Sequence, residues 1–237
     1  NAERIQNKEV MIEDGDKFLI EKIPAGKSDT NKETYTANLS ISNESLKGKC
    51  TQTYLGQSCA EFLYSFSQFE TDQKDSVLER YLSKSDKNIE LDKVVTSDLR
   101  NREQQLKIDY DIAVNNKVSA FDNELYIDLN VLKEFKNFDL KDRKTDYEFD
   151  YKTDYSALIT LSIPPGYKVA KLPENLNATG AGYNVTVSFV QTPTAITCKK
   201  AFVFRDGVIK SAELNNWNES IKKLNTLYNQ QITLTKI

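Results

Sequence analysis

Apolar and polar residues alternate along several segments of this chain, and this alternation constrains the fold more than any other feature of the sequence. The clearest case is the segment 106–114, where every second residue is apolar and most of the residues between them are charged. Because successive side chains of a β-strand point to opposite faces, this pattern predicts a strand with one buried and one solvated face. Similar patterns or short apolar runs predict strands near 10–12, 18–23, 35–41, 46–54, 89–95, 118–121, 125–129, 158–163, 169–172, 183–189, 196–204 and 232–234.

Three segments change to a helical period. Aromatic residues at 62, 66 and 69 mark one face of a helix predicted over 58–69, where Ser58 and Glu61 have the spacing of a capping box. A second helix is predicted over 72–83, and a third carries apolar residues at 217, 221, 224 and 228. We expect the aromatic faces of these helices, including Trp217, to pack against the sheet rather than to line a ligand site.

These elements predict a mainly β protein built from antiparallel β-sandwich-like subdomains with a few short packing helices. The polar stretch Thr96–Gln105 is the best internal boundary. It divides the chain into a β-rich subdomain over 1–100 with two helices (58–69 and 72–83) and an antiparallel β-sandwich over 101–237. The second subdomain ends with the C-terminal helix and the last strand.

The composition excludes several classes of function. The 237 residues contain no histidine, which removes the usual partner of a serine or cysteine nucleophile and the commonest metal ligand. The formal net charge of -3 favours neither nucleic acid nor an anionic membrane as a partner, and no apolar run is long enough for a transmembrane helix. The first residues show no signal-peptide pattern and no initial Met, as expected of a processed chain or a piece of a longer protein.

The three cysteines, Cys50, Cys59 and Cys198, are too few for a four-ligand zinc site without histidine. We expect all three to be small buried side chains. A Cys50–Cys59 disulfide is the alternative, although Cys59 falls at the start of a predicted helix. We predict no catalytic residue, no cofactor and no metal ligand.

The segment 139–154 carries the densest charge. Asp142, Asp146, Asp150 and Asp154 recur every four residues, and Tyr147, Tyr151 and Tyr155 follow the same interval. The aromatic residues favour a strand with an acidic face, which Arg143, Lys144 and Lys152 would partly neutralise. A calcium site or a carboxylate pair for glycoside hydrolysis is the functional alternative.

Three stretches carry a resemblance to a known family: 142–147 (DRKTDY), 157–174 (ALITLSIPPGYKVAKLPE) and 227–236 (LYNQQITLTK). They resemble the C-terminal domain of unknown function found in bacterial transglutaminase-like secreted proteins. The first half, with Gly48, Gly56 and the helix at Ala60, resembles the segment that follows the transglutaminase core in that family. The resemblance implies that the catalytic Cys–His–Asp residues lie upstream of residue 1.

The resemblance implies a non-catalytic accessory module of a periplasmic or extracellular cell-envelope protein, with the upstream transglutaminase-like core as its partner in cis. It would pack against that core or present a surface to a protein or glycan partner. One alternative is a carbohydrate-binding module, which would need exposed coplanar aromatic rings. Another is a two-carboxylate glycosidase, which would need a cleft with acids about 5–10 Å apart. A third is a domain that regulates the upstream core.

Overall fold

The computed structural model describes residues 8–24, 26–101 and 104–237. The strands are β1 (Glu9–Asp14), β2 (Lys17–Lys22), β3 (Lys32–Ser42), β4 (Ser45–Tyr54), β5 (Ile89–Thr96), β6 (Leu106–Val114), β7 (Val118–Phe121), β8 (Glu124–Ile127), β9 (Tyr147–Glu148), β10 (Asp154–Ser162), β11 (Tyr167–Lys171), β12 (Leu176–Thr179), β13 (Tyr183–Gln191), β14 (Ala195–Phe204), β15 (Val208–Ile209) and β16 (Ile232–Lys236). The helices are α1 (Gln57–Ser67), α2 (Lys74–Leu82) and α3 (Leu214–Tyr228). The fold is mainly β with several antiparallel pairings and few short helices, which confirms the predicted fold class.

An eight-stranded sheet in the order β12-β13-β14-β10-β3-β4-β6-β5 forms the body of the molecule. Neighbouring strands are antiparallel except β3 and β10, which run parallel and pair from Asp154 opposite Lys32 to Leu161 opposite Leu39. This parallel pair joins two strands that are far apart in the sequence. The alternation in the sequence specifies each strand, but it does not specify this long-range pairing.

The sheet is continuous across the boundary that the sequence predicts near residue 100. Strand β5 precedes that boundary and β6 follows it, yet the two pair directly and β6 also pairs with β4. Residues 102 and 103 of the predicted linker, as well as residues 1–7 of the predicted first subdomain, lie outside the described residues. The division into two subdomains therefore stays a prediction about folding units.

The eight-stranded sheet is buried on one face. Strand β6 buries Leu106, Ile108 and Tyr110, whereas Lys107 and Asp109 point the other way and form an ion pair at 2.7 Å. The same alternation holds in β3, β13 and β14. The period-two pattern was thus a reliable guide to which side chains enter the core.

A second layer covers the buried face. It includes α3, and a four-stranded sheet in the order β11-β16-β8-β7 contributes Ile127, Ile232 and Leu234 to the same core. Trp217 of α3 is fully buried, contacts the rings of Tyr183 and Phe204 at 4.9 and 5.9 Å between centroids, and donates from Nε1 to Phe138 O at 2.9 Å. The prediction that Trp217 packs against the sheet is confirmed, and the indole N–H has the partner that a buried Trp requires.

Helix α1 begins one residue earlier than the sequence predicts, and the predicted capping box is wrong. Gly56 occupies the cap position with φ of 68°, no side chain caps the helix, and Ser58 lies in its first turn. A Cβ atom at Gly56 would approach Thr30 O to 2.1 Å. A close backbone contact, which only glycine permits, therefore sets this helix start. Helix α2, Lys74–Leu82, lies within the predicted range 72–83 and follows a short 3-10 turn over Thr71–Gln73.

The two strands predicted near 10–12 and 18–23 form a hairpin, β1 and β2, which is a separate two-stranded sheet. Met11, Phe18 and Ile20 remain mostly exposed on it. Lys8 beside the hairpin forms an ion pair with Glu148 at 3.1 Å.

Candidate ligand-binding cleft

A cleft of about 830 Å³ opens where one end of the eight-stranded sheet meets α1, α2 and the segment 130–155. We call it the tyrosine cleft. Its lining includes Glu33, Tyr54, Glu61, Lys84, Tyr151 and Tyr155. A second depression of about 620 Å³ adjoins it and shares Glu33, Glu61, Lys84 and Tyr151. The volume lies within the range of small-molecule sites in proteins.

Register in the sheet places Glu33 in the cleft. Glu33 lies on β3 in phase with the buried residues Tyr35, Ala37 and Leu39, so its side chain continues the buried face of the strand to its end. Its neighbours across the strands are Tyr54 on β4 and Tyr155 on β10. A carboxyl group thus stands at a position that the strand pattern assigns to the core.

Burial raises the pKa of Glu33, because removing a carboxylate from water disfavours its charged form. The Ser58 hydroxyl and the Lys84 ammonium oppose this effect, and the carboxylates of Glu61 and Glu134 add to it. Glu61 projects from α1, where Gln57 Nε2 donates to its Oε1 at 3.2 Å. The cleft therefore brings together two carboxyl groups from elements distant in the sequence.

Phe62 and Tyr81 line the second depression, and Tyr54 of the tyrosine cleft packs against their rings. The ring of Phe62 stacks on Tyr54 with centroids 5.7 Å apart and meets Tyr81 edge-on at 4.9 Å. Lys84 Nζ lies 4.5 Å from the centroid of the Tyr81 ring, within cation–π distance. Tyr54 and Tyr81 are inclined by 54°, so these rings do not share a plane. The prediction that α1 and α2 bury aromatic and aliphatic residues is confirmed for Phe62 and Leu82.

A buried ion pair between Lys200 and Glu134 lies beside the cleft, whose lining includes Glu134. We call the pair and the two tyrosines that contact it the closed cluster: Glu134, Tyr155, Lys200 and Tyr228. Lys200 Nζ donates to Leu132 O at 2.5 Å and to Glu134 Oε2 at 3.3 Å, and lies 4.8 Å from the Tyr228 ring centroid. The hydroxyl of Tyr155 donates to Glu134 Oε1, and that of Tyr228 donates to Glu134 O at 2.9 Å. Each charge of the pair therefore has a partner inside the fold.

The side-chain oxygen of Asn130 has no hydrogen-bond donor among the described residues. The residue is 2% exposed yet lines the cleft, and its Oδ1 accepts no hydrogen bond from any residue that the structure describes. Its backbone N–H donates to Asp128 Oδ1 at 3.0 Å. Burial would raise the pKa of Asp128, but the ammonium groups of Lys117 and Lys133, together with this N–H, outweigh burial and lower it. Asp128 therefore binds Lys117, Lys133 and the Asn130 backbone N–H, while Asn130 Oδ1 accepts no hydrogen bond from the described residues.

The acidic segment adopts a conformation that differs from the predicted strand. Only Tyr147–Glu148 (β9) is a strand before β10 begins at Asp154, and the rest of 142–153 forms turns and irregular structure. Arg143 donates to the backbone carbonyl of Asp146, at 2.6 Å from Nη2, and not to its carboxylate. Among the described residues, that carboxylate forms its ion pair with Lys210. It accepts from Lys210 Nζ at 3.0 Å and from the backbone N–H of Ser211 at 2.8 Å. Long-range contacts, which the sequence spacing does not reveal, thus override the local strand preference.

In the stretch 139–155, all three tyrosines line the tyrosine cleft, whereas most of the aspartates do not. Asp142 is exposed, and Asp154 opens β10. Tyr147, Tyr151, Tyr155 and Asp150 line the tyrosine cleft. Among the described residues, no group of three or more carboxylate or thiol side chains is arranged to hold a metal ion. The tyrosines of the segment, rather than its aspartates, supply most of its contribution to the cleft.

All three thiols lie in the core. Cys50, Cys59 and Cys198 are free and buried, so Cys50 and Cys59 do not form a disulfide. Burial raises the pKa of Cys50 and of Cys198 to about 11, and it also raises that of Cys59. None of them belongs to the lining of the tyrosine cleft. The prediction that these residues are buried side chains is confirmed.

Sequence reasoning missed Glu33, Glu61 and the closed cluster. A signal was available for two of these residues, because Glu33 and Lys200 are charged residues at apolar-phase positions of their strands. A buried charge is costly unless it is paired, so a charge in the apolar phase marks a pair or a site. No comparable signal identifies Glu61 on α1 or Glu134 in the irregular segment.

The fold and the cleft define a mainly β protein with a binding-sized cleft between its sheet and its helices. Residues 123–234 match the family described as Domain of Unknown Function with solved-structure structure (DUF3858), slightly less than half of the chain. A search of curated proteins and a search of solved structures gave no match. The matched segment contains the closed cluster, Tyr151 and Asn130, whereas Glu33, Glu61 and Lys84 lie before it. Within the described part of the chain, no helix has the length and apolar character needed to cross a membrane.

Proposed function

We propose that this chain is a non-catalytic accessory module of a transglutaminase-like cell-envelope protein, located in the periplasm or outside the cell. The support for the transglutaminase link is the resemblance of 142–147, 157–174 and 227–236. The first two stretches lie inside the segment 123–234 that matches the family of unknown function, and the third lies mostly inside it. The catalytic core is then the partner in cis, and a protein or glycan is a further partner.

The placement of the thiols carries the non-catalytic part of the proposal. A cysteine nucleophile acts as a thiolate, which needs a lowered pKa and access to substrate. All three cysteines are instead buried outside the cleft, and their pKa values are raised rather than lowered. The sequence also contains no histidine that could activate a thiol. The chain's thiols are therefore suited to packing and unsuited to acyl transfer.

Turnover assays on the purified chain test this proposal. We expect neither amide hydrolysis nor amine incorporation into a glutamine peptide above the buffer rate, with a cysteine transglutaminase as the positive control. A Cys50→Ser/Cys59→Ser/Cys198→Ser variant is the matched control. Turnover that this variant abolishes, while it keeps the circular dichroism spectrum of the wild type, would contradict a non-catalytic role.

Deletion of the module from a full-length transglutaminase-like protein tests the accessory role. We expect the remaining core to keep its turnover number and to lose thermal stability, because the deletion exposes the surface against which the module packs. A core that stays folded but loses its turnover would argue that the module supplies catalytic groups. Faster turnover after deletion would support the regulatory alternative instead.

A two-carboxylate glycosidase is the second candidate, and one observation favours it. Glu33 and Glu61 line one cleft, and the raised pKa of Glu33 suits a general acid. Release of reducing sugar from a panel of glycans, abolished by Glu33→Gln and by Glu61→Gln separately, would establish this activity.

A further inference from the structure

The hairpin of β1 and β2 exposes apolar side chains on both of its faces. Eleven of its twelve strand residues are exposed, and Val10 is half-buried. Met11, Phe18 and Ile20 are 70%, 63% and 72% exposed. An isolated two-stranded hairpin is at best marginally stable in water, and it gains stability from further strands or from a packed layer. The hairpin therefore presents a surface that is suited to pairing with another chain.

The outer edge of β2 also offers unpaired backbone groups. The N–H of Ile23 donates to Lys8 O at 3.0 Å, which makes these two residues a hydrogen-bonded pair that continues the hairpin. Hydrogen-bonded and non-hydrogen-bonded pairs alternate along an antiparallel ladder, so Phe18, Ile20 and Lys22 direct their N–H and C=O groups away from β1. Among the described residues, β2 has no second neighbouring strand. An edge of this kind is a template for the addition of a strand.

A two-fold axis through Leu19 satisfies this edge with a second copy of itself. Two antiparallel β2 strands related by this axis place Phe18 of one copy opposite Ile20 of the other. Both residues direct their backbone groups outward, so each of these two pairs exchanges its N–H and C=O groups. Their side chains lie on the face of Met11, because Met11 is the neighbour of Ile20 in the hairpin. The paired hairpins therefore form a four-stranded sheet with a continuous apolar centre.

The charges near the ends of β2 fit the same axis. Lys17 of one copy lies opposite Glu21 of the other, and symmetry repeats this pair. Opposite charges directly across a strand pair stabilise it, whereas like charges destabilise it. The outer edge of β1 lacks this match, because β1 carries the acids Glu9, Glu13 and Asp14 and no basic residue. Pairing of two β2 edges therefore leaves two acidic edges on the outside of the four-stranded sheet, where they repel one another.

We propose that this chain forms a two-fold symmetric dimer through the outer edge of β2, with Leu19 on the axis. The inference goes beyond the accessory role and does not depend on the transglutaminase link. A contact between two six-residue strands is smaller than most stable interfaces, so we expect a dissociation constant of about 1–100 μM. Sedimentation velocity between about 2 μM and about 500 μM should then show the conversion of monomer to dimer.

Charge reversal tests the register of the dimer. Lys17→Glu and Glu21→Lys should each weaken association about tenfold or more, because each places like charges opposite each other twice. An equimolar mixture of the two variants should restore association, since the facing charges are then opposite in sign. A substitution that merely disturbed its own hairpin would not be rescued in this way. Lys168→Glu, which changes an exposed lysine on β11, is the matched control and should dimerise like the wild type.

Substitutions on the two strands localise the contact. Leu19→Cys places a thiol on the axis, where the Cα atoms of a non-hydrogen-bonded pair lie about 4.5 Å apart, and oxidation should link two copies. Ile12→Cys is its control, because the two β1 strands lie about 14 Å apart on the outside of the sheet, too far for a disulfide. The native thiols are buried and should not react. Ile20→Pro should abolish the dimer and keep the hairpin, since the N–H that proline lacks points away from β1.

A chain that stays monomeric at about 500 μM would overturn the proposal, and so would oligomers that continue to grow beyond the dimer. Equal cross-linking of Leu19→Cys and Ile12→Cys would overturn it as well, because the contact would then not be centred on Leu19. These outcomes leave the accessory role intact, since that role is tested by turnover and deletion. Conversely, turnover by the purified chain would refute the non-catalytic role while the association data stand.

Discussion

The closed cluster and the open carboxylates of the tyrosine cleft use similar groups in opposite ways. In the closed cluster, Glu134 receives the Lys200 ammonium and the Tyr155 hydroxyl, and its side chain is only 13% exposed. Glu33 in the same cleft has the Ser58 hydroxyl and the Lys84 ammonium nearby, and its pKa is nevertheless raised by burial, while Glu61 accepts a hydrogen bond from Gln57 Nε2 at 3.2 Å. Glu134 is thus held by an ion pair inside the fold, whereas the partners of Glu33 do not offset the cost of its burial.

The comparison between the closed cluster and Glu33 also shows that an ionic group can be buried for structural reasons alone. Removing a charge from water costs several kcal/mol, and the cost is offset only by good geometry and further hydrogen bonds. Lys200 and Glu134 have both, so their burial does not indicate a catalytic site. The same reasoning makes the raised pKa of Glu33 informative, because it reports a burial cost that the chain has not fully compensated.

The largest expected effect comes from breaking the closed cluster. Lys200→Met should lower the free energy of unfolding by about 3–5 kcal/mol, because it leaves the Glu134 carboxylate buried without its cation. Urea denaturation followed by circular dichroism measures this loss. The double variant Lys200→Met/Glu134→Gln should recover part of it. If the double variant is less stable than the single one by the full cost of Glu134→Gln alone, the two residues are not coupled, and the closed cluster is wrongly defined.

The stability effects of Tyr155 and Tyr151 give a sharper comparison, because the first belongs to the closed cluster and the second to the open part of the cleft. Tyr155→Phe removes the hydroxyl that donates to Glu134 Oε1 and should cost about 1–3 kcal/mol, the penalty of an unsatisfied buried acceptor. Tyr151→Phe affects only the open part of the cleft and should cost less than about 1 kcal/mol. Denaturation of both variants under identical conditions tests this order. A larger loss for Tyr151→Phe would reverse the assignment of closed and open regions.

Neutralising Glu33 should raise the free energy of unfolding, whereas the substitutions above should lower it. Glu33→Gln removes an ionised group from a site that disfavours its charge, so we expect the free energy of unfolding at pH 7 to rise by roughly 0.5–2 kcal/mol. Glu219→Gln, on the exposed surface of α3, should change it by less than about 0.5 kcal/mol. A loss of stability in Glu33→Gln would mean that the carboxylate is held by contacts it needs, as in the closed cluster.

The smallest expected effect is the pH dependence of the stability that Glu33→Gln adds. The folded-state pKa of Glu33 lies above its ordinary value of 4.5. As the pH falls, Glu33 is therefore protonated at a higher pH in the native protein than in the unfolded chain. The burial cost is therefore fully present above the folded pKa and disappears as the pH falls towards 4.5. The stability difference between Glu33→Gln and the wild type should shrink over this window. A difference that grows on acidification would contradict a raised pKa.

Much of the fold could be predicted because its information is local. The alternation in β6 specifies which side chains are buried, and the helical spacing of Phe62 and Phe66 specifies the buried face of α1. The capping box at Ser58 failed because a close approach of the Thr30 carbonyl to Gly56 determines the helix start. That contact joins segments 26 residues apart, and no local pattern contains it.

The cleft was missed for the same reason. Its groups come from β3, α1, the loop after α2 and the segment 130–155, and each is unremarkable where it stands in the sequence. The spacing of the tyrosines at 147, 151 and 155 predicts one continuous strand. Tyr147 instead lies in β9 and Tyr155 in β10, with irregular chain between them.

The sequence by itself determined the strands, the helices, the buried state of the cysteines and Trp217, and the absence of a histidine-dependent site. These follow from side-chain periodicity and residue type, which act over a few residues. Only the tertiary structure decided the parallel pairing of β3 with β10, the burial of Lys200 against Glu134, and the meeting of Glu33 with Glu61. Such contacts depend on the summed free energy of strand order and layer packing, which single positions in the sequence do not encode.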